Sequence, residues 1–433
     1  MAANAVYGGD EVNAVVIDLG GCLCRAGYAG DDTPKAVFPA AAGVVQSSEA
    51  NGAEAGARSI YVGNTALSFK RDHMQVVNAM GPDDLVQDWD VASNLWTHAL
   101  KDRLGVNPGE NAVMLAEPTH NTRAGREKAV EVMFESQACP ALFLAKAAVL
   151  SAFAVGKQTA LVVDAGYRGT TVAAVYEGFV LNKSVTRSAL GGALMTRCMQ
   201  KVLEAELEAK GSKLMARHMF KRVPIPDFAQ YETVVEANTN IDPSYDAWGL
   251  EQVAADAKES LCKASDAAFN DQEGASMPYA LYELPDGTEL NVGPDRFRVT
   301  ETLFQSARVS SFPGMDNDPL VLGRSLLAWP VLVKNAIDGC DGDVRREFWN
   351  SIVLTGGTSL VPNVRERLER ELTSLAPGGT KVKVNAPVNP TEKRFATWIG
   401  GSILSSLGSF QQMWMSKAEF EEHGAGLIHR KSP

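Results

Sequence analysis

Apolar residues run unbroken from Val15 to Ile17 and stop at Asp18-Leu19-Gly20-Gly21. The same figure returns midway, where Ala160-Leu161-Val162-Val163 stops at Asp164-Ala165-Gly166. A short apolar run closed by an acid and a glycine reads as a buried strand entering a tight turn. A second extended run follows each turn, over residues 23–29 and 170–176. One such hairpin in each half predicts a duplicated α/β fold, two lobes around a cleft. A third glycine turn, Gly356-Gly357-Thr358, follows the run 351–355 and precedes a helix predicted over 363–372. Strand, glycine turn and helix in that order aim backbone N–H groups at a phosphate or a sugar.

Helical spacing is also found over 90–104, 122–134 and 249–264. Two stretches have no clean period. Residues 40–59 are rich in Ala, Gly, Ser and Glu and predict a mobile loop. Residues 217–248 mix basic, aromatic, Pro and Asn positions and predict a surface insertion. The most apolar stretch, 141–155, is broken by Lys146 and falls short of the roughly 20 residues of a membrane span. A chain of 433 residues exceeds the roughly 250–300 that one core serves. The expected division is a small lobe from 1–155 plus 396–433, with a tip loop at 40–60, and a large lobe from 156–395, with an insertion at 212–248.

The net charge of -11 disfavours wrapping of DNA, because phosphate contacts need Lys and Arg. It suits basic partners such as histones or a Lys/Arg-rich helix, and it serves plain solubility equally well. Six cysteines without a CxxC pair, and a start lacking the basic and apolar regions of a secretory leader, predict free thiols in a reducing, non-membrane compartment.

An isolated Asp-x-Gly most often only caps a turn. Two in register, with a third glycine turn, point to a Mg-nucleotide instead. Asp18 and Asp164 would hold the hydrated metal through water, and the turns would hold the phosphates.

The chain resembles actin and the actin-related proteins over nearly its full length. The resemblance lies in Asp18-Leu19-Gly20, Arg25-Ala26-Gly27-Tyr28-Ala29-Gly30-Asp31-Asp32 and Pro34-Lys35-Ala36-Val37-Phe38-Pro39. It continues in Tyr282-Glu283-Leu284-Pro285-Asp286-Gly287, Arg296-Phe297-Arg298 and Thr355-Gly356-Gly357-Thr358. Most specific is Trp398-Ile399-Gly400-Gly401-Ser402-Ile403-Leu404 through Phe410-Gln411-Gln412-Met413-Trp414. The resemblance implies an actin-like or sugar-kinase-like duplicated fold of four subdomains around a nucleotide cleft, with ATP and Mg as cofactors. The implied nucleotide contacts are Asp18, Gly20, Gly21 and Arg25 in the first hairpin and Asp164 and Gly166 in the second. Lys258 and Glu259 match the pair at base and ribose, with Gly356, Gly357, Thr358 and Arg394 completing the site.

The departures from the family pattern bear on catalysis. Gly21 stands where actins carry a serine, and Arg25 stands for the phosphate-reaching lysine. Ala147 replaces the glutamine that positions the attacking water, Thr171 replaces a histidine, and Tyr167 replaces an acid and could crowd the phosphates. Positioning supplies most of the rate in phosphoryl transfer, so the sequence predicts a pseudo-ATPase with no catalytic residue in place. The runner-up expectation is loss of nucleotide binding altogether.

The tip loop over 46–58 has no Met, Val or aromatic anchor, which argues against a homopolymer. At the other end, Phe153, Leu404, Leu407 and Met413 match an apolar groove that takes an amphipathic helix. Val6-Tyr7-Gly8-Gly9-Asp10-Glu11-Val12 and Leu85-Val86-Gln87-Asp88-Trp89-Asp90 are similar to the fourth class of nuclear actin-related proteins. That class is shared by chromatin remodellers and a histone acetyltransferase complex. The resemblance implies a nuclear subunit paired with monomeric actin on a long remodeller or scaffold helix, with histones as a further contact. The competing readings are a filament-forming actin-like ATPase and a sugar kinase of the wider superfamily.

Overall fold

A computed structural model describes residues 14–46, 58–226, 230–236, 240–274 and 276–433. The stretch 6–12 and nearly all of the tip loop lie outside the described residues.

Two sheets are built to the same plan. In the first, Ala14–Leu19 is buried along its whole length; it pairs antiparallel with Leu23–Tyr28 and parallel with Ala112–Glu117. Ala36–Pro39 closes one edge. Ala141–Lys146 and then Met415–Ser416 close the other, so the end of the chain returns to the N-terminal lobe. In the second sheet, Ala160–Ala165 pairs antiparallel with Thr170–Tyr176 and parallel with Ile352–Thr355, which Val384–Asn385 extends. Each sheet has a separate hydrophobic core behind it.

The helix Ala147–Ala154 follows Ala141–Lys146 directly, so the most apolar stretch is a strand and then a helix. A helix apolar on all sides must be covered on all sides. Leu150 packs with Val16, Met114 and Trp398 against the first sheet; Ala148 and Ala152 pack with Val162, Ala173 and Val353 of the second. The helix Ala396–Ser406 crosses it so closely that a Cβ on Gly400 would lie 1.8 Å from Leu150 O. A Cβ on Gly401 would lie 2.8 Å from Val16 Cγ1. Trp398 Nε1 donates to Val16 O at 3.0 Å, pinning this crossing to the first sheet.

Two expectations need correction. Residues 41–46 are not loop: Ala41–Gln46 is a largely buried strand between Arg58–Val62 and Gln75–Asn78. Its small residues serve packing, since a Cβ on Gly43 would meet Met74 Sδ at 2.4 Å. Nor is 217–248 wholly irregular. Phe220–Pro224 and Tyr231–Val235 form a hairpin, and the helix starting at Pro243 runs to Leu261. Asp242 caps it through Ser244 N at 2.9 Å with Pro243 in the first turn, a start signal that precedes the apolar periodicity.

All six thiols are unpaired. Among the described residues, no helix is long and apolar enough to cross a membrane.

Candidate functional site

A cavity of about 390 Å³ lies where the two hairpins and the third glycine turn converge. Pockets of this size hold small ligands. Gly20 N donates to Leu23 O at 3.0 Å and Gly166 N to Gly169 O at 2.9 Å, which closes each hairpin. Thr358 Oγ1 donates to Gly166 O at 2.8 Å and ties the third turn to the second hairpin. Gly356 adopts φ +89°, and a Cβ there would fall 2.4 Å from Ala165 O. Only glycine allows that approach. Gly357 has open space where a Cβ would be, so its backbone faces the cavity unobstructed.

The first-hairpin residues Asp18, Gly20, Gly21 and Arg25 all line this cavity, as do Asp164 and Gly166. Arg25 Nη1 lies 2.6 Å from Asp18 Oδ2, across the hairpin in register. Burial works to lower the Arg25 pKa, but the Asp18 charge and hydrogen bond carry it above the usual guanidinium value. Gly21 has no room for a side chain, since a Cβ would meet Arg168 Cγ at 2.3 Å and Asp84 Oδ1 at 2.8 Å. Burial, followed by repulsion from Asp84 and Asp18, pushes Asp164 up to about 7 against the pull of Arg25.

Lys258 and Glu259 line the same cavity in different settings. Lys258 is buried and donates to Thr196 Oγ1 at 2.9 Å; burial lowers its pKa. Glu259 is exposed at the rim, 3.6 Å from the Arg394 guanidinium. Ala147 presents only a methyl group to the cavity, and Thr171 sits opposite Asp164 in register. The Tyr167 hydroxyl donates to the Glu251 carboxylate, and its ring lies over Gly192. Tyr167 is thus tethered toward the helix Pro243–Leu261 while it still lines the cavity.

Two residues of this site escaped the sequence reading. Asp84 and His120 line the cavity beside the first hairpin. Burial raises the Asp84 pKa, with Arg187, His120 and Arg168 opposing. His120 is held by Asp83 O at 2.8 Å, and burial lowers its pKa. The Gly81-Pro82-Asp83-Asp84 turn was the available signal, since that chemistry fixes a loop. From the large lobe, Arg187 and Arg324 both donate to Pro82 O, closing a clasp over the cleft.

A Mg-nucleotide fits these residues. Arg25 Nε, Asp84 Oδ1 and His120 Nδ1 are buried without a hydrogen-bond partner; because His120 Nε2 donates to Asp83 O, its Nδ1 accepts, which leaves one donor for phosphate and two acceptors for metal-bound water. Three carboxylates that repel one another are what a hydrated cation relieves. Among the described residues no cluster of His, Cys, Asp or Glu could hold a metal by itself, so a cation would need water and phosphate as further ligands.

The groove residues are spread more widely. Leu404 is half-buried against Trp398, Phe410 and Trp414, so it is part core. Leu407 and Met413 are 41% exposed. Phe153 is half-buried on the helix between the sheets, its ring edge 4.0 Å from where a Gly178 Cβ would stand.

The family described as Actin matches residues 9–433. The chain belongs to the actin family. It is 45% identical to Actin-related protein 4 of Oryza sativa subsp. indica, over 99% of this chain and 100% of that one. To Actin-related protein 4 of Arabidopsis thaliana it is 44% identical, with the same coverage. To Actin-related protein 4 of Schizosaccharomyces pombe it is 33% identical, over 98% of each chain. With relatives so named along its whole length, this actin-family chain is an actin-related protein.

Proposed function

We propose that this actin-related protein is a non-filament-forming structural subunit of nuclear chromatin-remodelling or histone-modifying complexes, which binds Mg-ATP and hydrolyses it little or not at all. The observation that carries the reading is the contrast within one cavity. The three glycine turns and the acids are in place, whereas the position that would orient an attacking water, Ala147, offers a methyl group. When bound, the nucleotide and its cation would supply a polyanion that neutralises buried donors of both lobes. Asp18 and Asp164 would meet the cation's water shell, the turns and Arg25 the phosphates, and Lys258, Glu259 and Arg394 the far end. Without a group to orient water, binding energy stabilises the closed protein instead of a transition state. The resemblance of residues 6–12 and 85–90 to the fourth class of nuclear actin-related proteins supports pairing with monomeric actin on a long basic helix. The exposed Leu407 and Met413 offer that helix an apolar contact, and the charge of -11 suits it and histones.

The test starts from purified, nucleotide-stripped protein. Mg-ATP at a hundredfold excess over Kd should stabilise it by about 2.7 kcal/mol, with no release of phosphate above background and no sedimenting polymer. Co-elution with monomeric actin and a remodeller-type helix should be lost in Leu407→Asp. An unchanged Tm, or filaments in Mg-ATP, would overturn the reading.

A further inference from the structure

A second cavity, of about 430 Å³, opens inside the small lobe behind the nucleotide cleft. Leu19, Met80 and Glu117 line both cavities, so one layer of side chains separates them. The inner wall is apolar and aromatic: Trp89 and Trp96 stand edge to face at 6.4 Å, joined by Leu85, Leu115 and Leu144. Ala124 and Gly125, at the start of the helix Arg123–Glu131, line the cavity as well, and because Ala124 is exposed we place the mouth there.

The polar groups of the outer wall are hydrogen-bonded or ion-paired to one another, Glu117 Oε1 through its ion pair alone. Asn121 Nδ2 donates to Glu117 Oε2 at 2.9 Å, and Arg126 Nε lies 3.0 Å from Glu117 Oε1. At the rim, Lys128 is paired with Glu131 at 2.9 Å. Trp96 differs: it is 3% exposed, and its Nε1–H has no acceptor. A buried indole N–H normally finds a partner. An enclosed apolar space with one unmet donor describes its ligand. A charged molecule would find no counter-charge inside, and a purely aliphatic one would leave the indole unpaired.

We propose that this cavity is a binding site for a small, uncharged, flat apolar molecule that carries one hydrogen-bond acceptor, received by Trp96 Nε1–H. The proposal does not rest on nucleotide binding, because Trp89, Trp96 and the helix start at Ala124 lie outside the nucleotide cavity.

Coumarin, which is uncharged, aromatic and bears one carbonyl, is the probe. It is titrated into the full chain carrying 15N-indole tryptophan, and the indole N–H resonances are followed by NMR, with Trp96 assigned through Trp96→Phe. The Trp96 resonance should shift saturably. Those of Trp329 and Trp414, also buried without a partner but outside the cavity, should stay. Ala124→Phe, at an exposed helix position that leaves the fold intact, should close the mouth and weaken binding at least tenfold. Trp96→Phe should weaken it about fivefold, as loss of one net hydrogen bond does. No saturation by about 10 mM, equal shifts at every tryptophan, or a Trp96 shift untouched by Ala124→Phe would each overturn the site.

Discussion

Arg25 and Asp18 face each other across the first hairpin, Nη1 to Oδ2 at 2.6 Å, with side chains 15% and 12% exposed. The arginine therefore holds the acid that would meet the cation, and the two act as one charged unit at the cleft floor. Removing one member of a nearly buried pair strands the other. Arg25→Met should destabilise the nucleotide-free protein by about 3 kcal/mol, read as a lower urea midpoint. Arg25→Met combined with Asp18→Leu should recover most of that loss. Equal loss in the single and double variants would show that the pair is not the source.

Stability should fall as pH rises through the weakly acidic range. Asp164 is pushed up to about 7, whereas an unfolded aspartate titrates near 3.9. Between those values the folded chain keeps a proton that the unfolded chain has released. The contribution is complete below pH ~3.9 and is lost as pH climbs through ~7, at no more than about 1.4 kcal/mol per pH unit. Asp164→Asn should flatten this part of the profile in thermal melts of nucleotide-free protein. Asp84, raised by burial, leaves a residual slope of the same sign. A wild-type profile parallel to that of the variant would refute the assignment.

Hydrolysis should not return with one substitution. Ala147→Gln alone should change phosphate release less than threefold, because Thr171 opposite Asp164 gives the water no second contact. Ala147→Gln with Thr171→His should raise it tenfold or more. A wild-type rate already equal to that of the double variant would sink the pseudo-ATPase reading.

Gly400→Ala should cost about 3 kcal/mol or leave no soluble protein, since the added methyl would land 1.8 Å from a backbone oxygen that cannot swing aside. Gly342→Ala, whose methyl meets open space, should stay within about 0.5 kcal/mol of wild type in the same urea titration.

The hairpins were legible in the sequence because strand, acid and glycine are neighbours in the chain. Asp18, Asp164 and the Gly356 turn could be placed without knowing what lay across the cleft. The Arg25–Asp18 pair was nearly legible too, since positions on either side of a short turn face each other. Asp84 and His120 were not, because each comes from a turn without a period and only the fold brings them together. The strand Ala41–Gln46 was read as loop because its Ala and Gly positions imitate flexibility, whereas Met74 fills the space they leave. The helix start at Pro243 lacks apolar spacing, and its signal in the sequence is the Asp242 cap followed by proline.

The crossing of Gly400 over Leu150 leaves no slack between two small-lobe backbones, the helix Ala396–Ser406 and the helix Ala147–Ala154, the second of which also packs on the other sheet. Such a contact can turn but cannot slide or part, and so it behaves as an axle. Any turning of one lobe on the other would then be smallest at the helix Ala147–Ala154, which packs on both sheets, and largest far from it, toward Pro82, where Arg187 and Arg324 grip. A partner that presses on the molecule far from the axle works on a long arm, and a modest push there is felt as a change in how firmly the clasp is shut.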